Sequence, residues 1–336
     1  MAQGRESFVV ALARIAFTAV AYALMARVSL QAAVLEDGSS VLWLPAGVAV
    51  GLTYWWGYRV GVPGAAAGIA IMVWLYWGRW ELALLSGLTV GTQIALAVWL
   101  LRRLQVDPRF RDWRSVALFA FIGISASAPF VTLNAYFTHA FGVLATGEWM
   151  PTAIYRWMGD WLGYLLLGSF LLVWWDNWRL RTRDGLALIG MALLVGLAGW
   201  LSFYLRAIRL LPAPSLALFL PPMALGAVVY QQRGATLLTL SAALLMAIFA
   251  KGWGDTQPLE FRDAFFGWLF LAINFGTLMT LAVSITQQRE YAHQLEQSRR
   301  ELEHAYQQVR NILDNAPSLA MQMYDEHGRK IGRVHV

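Results

Sequence analysis

The chain has 336 residues, 58% hydrophobic and only 14% charged, with a formal net charge of +6 and no cysteine. Ordinary soluble domains carry roughly 25% charged residues, so the composition excludes such a domain and argues for a protein whose surface faces lipid. The absence of cysteine excludes disulfides, thiolate metal sites and cysteine nucleophiles. The basic residues cluster in loops between apolar runs, which assigns the positive charge to membrane topology rather than to nucleic acid.

A spanning helix needs roughly 20 apolar residues. Candidates in chain order are 8–30, 41–58, 62–77, 82–101, 115–137, 151–175, 186–205, 214–231, 235–250 and 263–286. The first is too long for a cleavable signal sequence and is expected to stay as a helix. The third and ninth are short for a full crossing, so the expected fold is an all-α integral membrane protein, a polytopic bundle of eight to ten transmembrane helices followed by a cytoplasmic signalling helix. With ten crossings, and the tail after Thr286 on the cytoplasmic side, the arginine clusters 102–114 and 179–183 fall inside, as the positive-inside rule requires. Both termini are then cytoplasmic.

Within the bundle, glycines recur at four-residue spacing: Gly47 and Gly51, Gly64 and Gly68, Gly159 and Gly163. In lipid, close backbone approach and packing must hold helices together, and glycine permits it. The run beginning at Val62 reads as a helix start with Pro63 in its first turn. Pro221 and Pro222 are expected to bend or break the eighth helix.

Ionisable groups inside a bilayer are costly and mark functional positions. Arg156 and Asp160 stand four residues apart on the sixth helix, on one face, where they can pair. Trp157, Trp43, Pro45, Asn134, Tyr136 and His139 reach a similar depth. Aromatic walls with a few polar anchors suit a small-molecule site, and an ion pair that only fixes helix rotation is the alternative. Gln93 and Asn274 read as interhelical hydrogen-bonding residues. The five histidines (His139, His293, His304, His327 and His335) lack metal-ligand spacing. There is no phosphate-binding glycine loop and no nucleophile–base arrangement, so no metal, cofactor or catalytic residue is expected.

After Gln287 the rhythm changes. Leu295, Leu302 and Val309 repeat every seven residues, and Tyr291, Ser298, Ala305 and Ile312 form a second seam. This is an a/d heptad pattern of about three heptads, expected to dimerise marginally. Tyr291, Leu295, Leu302, Val309 and Ile312 are its principal seam residues. Residues from Asn311 onward resemble the start of a PAS domain: a helix ending near Pro317, a strand with Leu319, Met321 and Met323, then a turn at 325–328. So short a fragment cannot bury enough surface to stabilise itself.

Three motifs carry a family resemblance: Val41-Leu-Trp-Leu-Pro-Ala-Gly-Val-Ala-Val-Gly51, Trp157-Met-Gly-Asp-Trp-Leu-Gly163, and Leu220-Pro-Pro-Met-Ala-Leu-Gly226 followed by Gln232-Arg-Gly234. In this order the chain resembles the first membrane-associated sensor (MASE) domain family. The resemblance implies a bacterial inner-membrane input domain over 1–286, a coiled-coil signalling helix over 287–313 and the opening of a PAS domain over 314–336. Relatives of this kind regulate diguanylate cyclase, phosphodiesterase or histidine kinase outputs, none of whose motifs occurs here. The expected partners are the lipid bilayer, a second copy of the chain through the C-terminal helix, and an unidentified signal ligand or protein. A small-molecule transporter and a passive membrane-localising scaffold are the competing expectations.

Overall fold

A computed structural model describes residues 8–32, 39–144, 149–175, 182–207, 216–252, 261–314, 321–324 and 327–334. The chain divides into two compact units, 1–285 and 286–336.

The first unit is helical. Its elements are α1 (Phe8–Ala32), α2 (Leu44–Trp56), α3 (Tyr58–Trp77), α4 (Trp80–Arg103), α5 (Trp113–Ala140), α6 (Trp149–Gly163), a π turn (Tyr164–Gly168), α7 (Ser169–Trp174), α8 (Thr182–Ala207), a short 3-10 turn (Leu216–Phe219), α9 (Leu220–Gly252) and α10 (Phe261–Asp314). Among the described residues, seven helical stretches are long and apolar enough to cross a membrane: 8–31, 58–77, 80–103, 113–140, 149–174, 182–205 and 265–312. Three further legs among the described residues, 39–56, 216–230 and 232–252, are built differently from uninterrupted apolar helices.

The first irregular leg covers 39–56. α2 has only 13 residues, and at ~1.5 Å per residue it spans about 20 Å, too little for a hydrocarbon core of about 30 Å. Residues 39–43 make up the rest as buried non-helical chain. The direction of the leg follows from its neighbours. Gly64 of α3 packs on Thr18 and Gly68 on Tyr22 of α1, so α1 and α3 run parallel and α2 must return between them. Gly57, at φ 88, makes the sharp turn from α2 into α3, a conformation that costs glycine little. α3 therefore begins at Tyr58, ahead of the start expected at Val62, and Pro63 lies inside the helix rather than in its first turn.

The other two irregular legs lie in α9. Gln231 has φ 53 and ψ −134, which breaks the helix. A Cβ placed on Gly234 would strike the carbonyl of Gly226. In a continuous helix those residues would be about 12 Å apart along the axis, so the chain reverses at Gln231, separating 216–230 from 232–252. Pro221 and Pro222 do not break this element. They sit in its first turn, where a missing N–H is harmless, and the interruption falls ten residues later.

One end of the bundle collects basic residues. Arg102 donates to the Tyr54 carbonyl at 2.6 Å and lies 5.5 and 5.0 Å from the Tyr54 and Tyr58 ring centroids. Arg14 lies 5.4 Å from the Trp56 ring and Arg233 5.9 Å from that of Trp174. The 104–112 loop is tied at the same end. Gln232 Nε2 donates to the Phe110 carbonyl at 3.0 Å, and Asp112 caps α5 by accepting from Ser115 N–H at 2.7 Å. Burial works against ionisation of Asp107 in this loop. Hydrogen bonds from the Arg111 side chain and from the Arg109 and Arg111 N–H groups outweigh it and hold the carboxyl below its ordinary value.

In the second unit, α10 continues to Asp314 and carries i,i+4 ion pairs Arg299–Glu303 at 3.0 Å and Arg300–Glu296 at 3.2 Å. Tyr291, Leu295, Leu302, Val309 and Ile312 are all exposed. Met321–Tyr324 (β1) pairs antiparallel with Lys330–Val334 (β2). The expected strand therefore forms and has a partner; Leu319 and Pro317 lie outside the described residues.

The glycines on α6 supply a direct test of the packing. A Cβ on Gly163 would collide with the Trp43 carbonyl, whereas one on Gly190 would meet nothing within 4 Å. Gly163→Val is expected to cost about 1–3 kcal/mol or more through overpacking, seen as loss of monodisperse detergent-extracted protein and a lower thermal midpoint. Gly190→Ala is expected to leave both unchanged.

Candidate functional site

The extended stretch 39–43 needs partners for its backbone, since no water serves it inside a bilayer. Trp43 N–H donates to the Gly159 carbonyl at 2.9 Å. Leu44 N–H donates to Ser29 Oγ at 3.0 Å. Ser40 Oγ donates to the Ser29 carbonyl at 2.9 Å and accepts from Leu42 N–H at 3.3 Å. The strand-like segment is thus clasped between α1 and α6, and it can approach α6 so closely only because residues 159 and 163 are glycines. Other glycines also make close contacts: Gly47 packs on the π turn, Gly51 on Leu171, and Gly64 and Gly68 on α1.

Beside this segment lies a cavity of about 250 Å³. Its apolar wall includes Ile69, Met72, Val73, Val90, Phe130 and Val131; Tyr22, Trp43, Tyr76 and Trp77 add aromatic surface; Ser39, Ser40, Gln93, Asn134, Arg156 and Asp160 add polar atoms. Asp160 is only 8% exposed and accepts from Gln93 Nε2 on α4 at 2.6 Å. Arg156 Nη1 donates to Thr138 Oγ1 at 3.1 Å and Asn134 Oδ1 at 3.4 Å, both on α5. Asn134 Nδ2 in turn donates to Ser86 Oγ at 2.9 Å and Thr89 Oγ1 at 3.4 Å on α4. Those bonds turn its amide oxygen toward Arg156. Trp43 Nε1 donates to the Tyr22 hydroxyl at 3.3 Å, and both side chains line the cavity.

Four of the predicted residues meet here: Arg156, Asp160, Trp43 and Asn134. Arg156 and Asp160 share the cavity as their spacing implied, each hydrogen-bonded to a different neighbouring helix. The other four do not line it. Pro45 is buried in the first turn of α2. Trp157 is half-buried, and its indole N–H has no partner among the described residues. Tyr136 is exposed and meets Trp149 edge-on at 6.1 Å. His139 Nδ1 lies 3.4 Å from the Leu144 carbonyl.

Sequence reasoning placed Gln93 only as an interhelical hydrogen-bonding residue; its partner is the buried acid of the cavity itself. Asn274 instead bonds within its own helix, to the Phe270 carbonyl at 2.7 Å. Tyr22, Ser39 and Ser40 were missed, because nothing local to α1 or to the 31–40 loop says that a distant tryptophan and α6 will face them. Among the described residues no group of three or more His, Asp or Glu is arranged to hold a metal.

The Arg156–Asn134 contact predicts energetic coupling. Asn134→Ala and Arg156→Gln are each expected to lower stability by about 1 kcal/mol. The double variant is expected to fall short of their sum, measured by thermal or steric-trap unfolding in nanodiscs.

Comparison with curated proteins and with solved structures returned no match. The MASE1 family model matches residues 14–289. That interval contains the cavity, the extended leg and the reversal at Gln231, and it covers most of the sequence. The chain belongs to the MASE1 family of membrane sensory input domains.

Proposed function

We propose that the bundle receives a small polar molecule in the Arg156–Asp160 cavity and converts its binding into a change in α10. The observation that carries this reading is a buried acid and a base-bearing arginine, each held by a separate helix, in one cavity with aromatic walls. A ligand that pulls on both groups acts on α4, α5 and α6 together. It shifts the equilibrium only to the extent that it binds one helix arrangement better than another. The basic end of the bundle, with Arg102, Arg14 and Arg233, supports a cytoplasmic assignment for that face in a bacterial inner membrane. Both termini are then cytoplasmic.

The exposed stripe Tyr291, Leu295, Leu302, Val309 and Ile312 suits pairing of two copies as a short parallel coiled coil. Such a pair carries the signal to a PAS module and on to a diguanylate cyclase, phosphodiesterase or histidine kinase. The hairpin 321–334 is compatible with the opening strands of that module.

A transporter remains the second reading, favoured by the two interrupted legs at 39–56 and 216–252, since broken helices line transport sites. Saturable solute uptake into proteoliposomes is its measurement, and none is expected.

Two measurements test the sensory reading. Arg156→Gln and Asp160→Asn, placed ahead of a fused output enzyme, are expected to keep membrane level and abolish regulation; normal regulation in both would refute the site. Because the chain has no cysteine, single cysteines report pairing directly. Leu302→Cys is expected to form disulfide-linked dimers in membranes within minutes of oxidation, and Arg300→Cys, off the seam, to lag at least about tenfold.

A further inference from the structure

Asp160 is buried, yet only one of its carboxyl oxygens is engaged. Oδ2 accepts from Gln93 Nε2 at 2.6 Å. Gln93 is a neutral amide, so it supplies a donor and no countercharge. Among the described residues Asp160 makes no other hydrogen bond and no ion pair. Arg156, one turn earlier on α6, is directed to Thr138 and Asn134 on α5 and forms no ion pair with this carboxyl. Oδ1 is left facing the cavity. A buried carboxylate without a cationic partner is costly, and an occupant that brings the cation removes that cost.

The surfaces beside the carboxyl also suit a positive charge. Asp160 follows Gly159, whose carbonyl accepts the Trp43 N–H at 2.9 Å, so the extended leg and the carboxyl stand at one level. The Trp43 indole is tied to the Tyr22 hydroxyl at 3.3 Å. Tyr76 and Trp77, at the end of α3, complete the aromatic lining. Aromatic faces attract cations electrostatically, and most strongly where water is excluded.

This donor set favours an organic ion over a metal. Calcium takes about six to eight oxygen ligands, and among the described residues no group of three or more His, Asp or Glu is arranged to hold a metal. Aromatic rings serve an ammonium group instead. Tyr76 is 68% exposed, so the cavity opens past it and sets no upper limit on the body attached to that group. Ile69, Val73 and Val131 make the adjoining wall apolar, which calls for carbon next to the charge.

We infer that the cavity is a site for an organic ammonium ion with an alkyl body. Its N–H groups donate to Asp160 Oδ1, the Trp43 and Tyr22 rings flank its charge, and its carbon chain lies along the α3 and α5 wall. Gln93 is a positioning residue: it holds Oδ2 and so presents Oδ1 to the occupant. The inference rests on the reading that the cavity receives a small molecule, and it gives that molecule a positive charge.

The test uses the full chain in nanodiscs, with binding read by calorimetry and by thermal shift against empty nanodiscs. The probes share one branched alkyl body: isoamylamine (cationic), isoamyl alcohol (neutral) and isovalerate (anionic). Isoamylamine is expected to bind at least about tenfold more tightly than either of the others, because a site made for a charged group rejects the molecule that lacks it. Asp160→Asn, close to isosteric, is expected to bring isoamylamine down to the level of the alcohol and to leave the alcohol unchanged. A monodisperse variant with the wild-type thermal midpoint shows that the loss is not unfolding. Equal binding of the three probes, tighter binding of isovalerate, isoamylamine binding that survives Asp160→Asn, or no binding of any probe to the folded wild-type chain overturns the assignment. The wild-type comparison does so without relying on any variant. Isoamylamine binding that depends on Asp160 yet leaves the output of a fused enzyme unchanged would instead refute the sensory reading and leave the ligand class standing.

Discussion

Inside a bilayer, every peptide N–H and C=O must find its partner within the protein, and this chain contains a buried stretch, 39–43, that is not helical. The Trp43–Gly159 backbone bond and the Ser29 and Ser40 hydroxyls meet that demand. They do so only because α6 offers glycine at 159 and 163, where any side chain would collide with the Ser40 or Trp43 carbonyl. The rest of the site follows from this clasp. An extended leg is narrower than a helix and carries polar side chains toward α1 and α6 at the place where a helix would have filled space. The cavity lies beside it, and Trp43, locked to Tyr22, forms part of its wall.

The family motifs acquire a physical meaning from this arrangement. The 41–51 motif is the extended leg with the start of α2. The 157–163 motif is the glycine surface that receives it, together with the buried Asp160. The 220–226 and 232–234 motifs flank the reversal at Gln231, where Gly226 and Gly234 let the two strands of the turn approach. The first and third motifs mark places where the backbone departs from a simple spanning helix, and the second is the helical surface against which the extended leg packs. The long regular helices between them carry no such signature, since many apolar sequences serve there equally well.

The polar groups of the cavity form two short relays. Ser86 and Thr89 orient Asn134, which with Thr138 holds Arg156; Gln93 separately holds Asp160. α4 takes part in both. The carboxyl and the guanidinium are therefore each bonded directly to a different neighbour of α6.

The sequence by itself determined the membrane setting, the start and course of most long helices, the glycine pairs, and the presence of Arg156 and Asp160 on one face of α6. Hydropathy and helical spacing are local, and these features are local. It also located the passage from apolar to charged residues near Thr286, which lies at the division between the two compact units. The tertiary structure alone decided that the second leg is half extended, that Pro221 and Pro222 leave the eighth leg unbroken, and that Tyr22, Ser40 and Gln93 join the cavity while Pro45, Trp157, Tyr136 and His139 do not line it. Each of those outcomes depends on backbone hydrogen bonds and side-chain contacts between residues tens of positions apart, which no periodicity in the chain encodes.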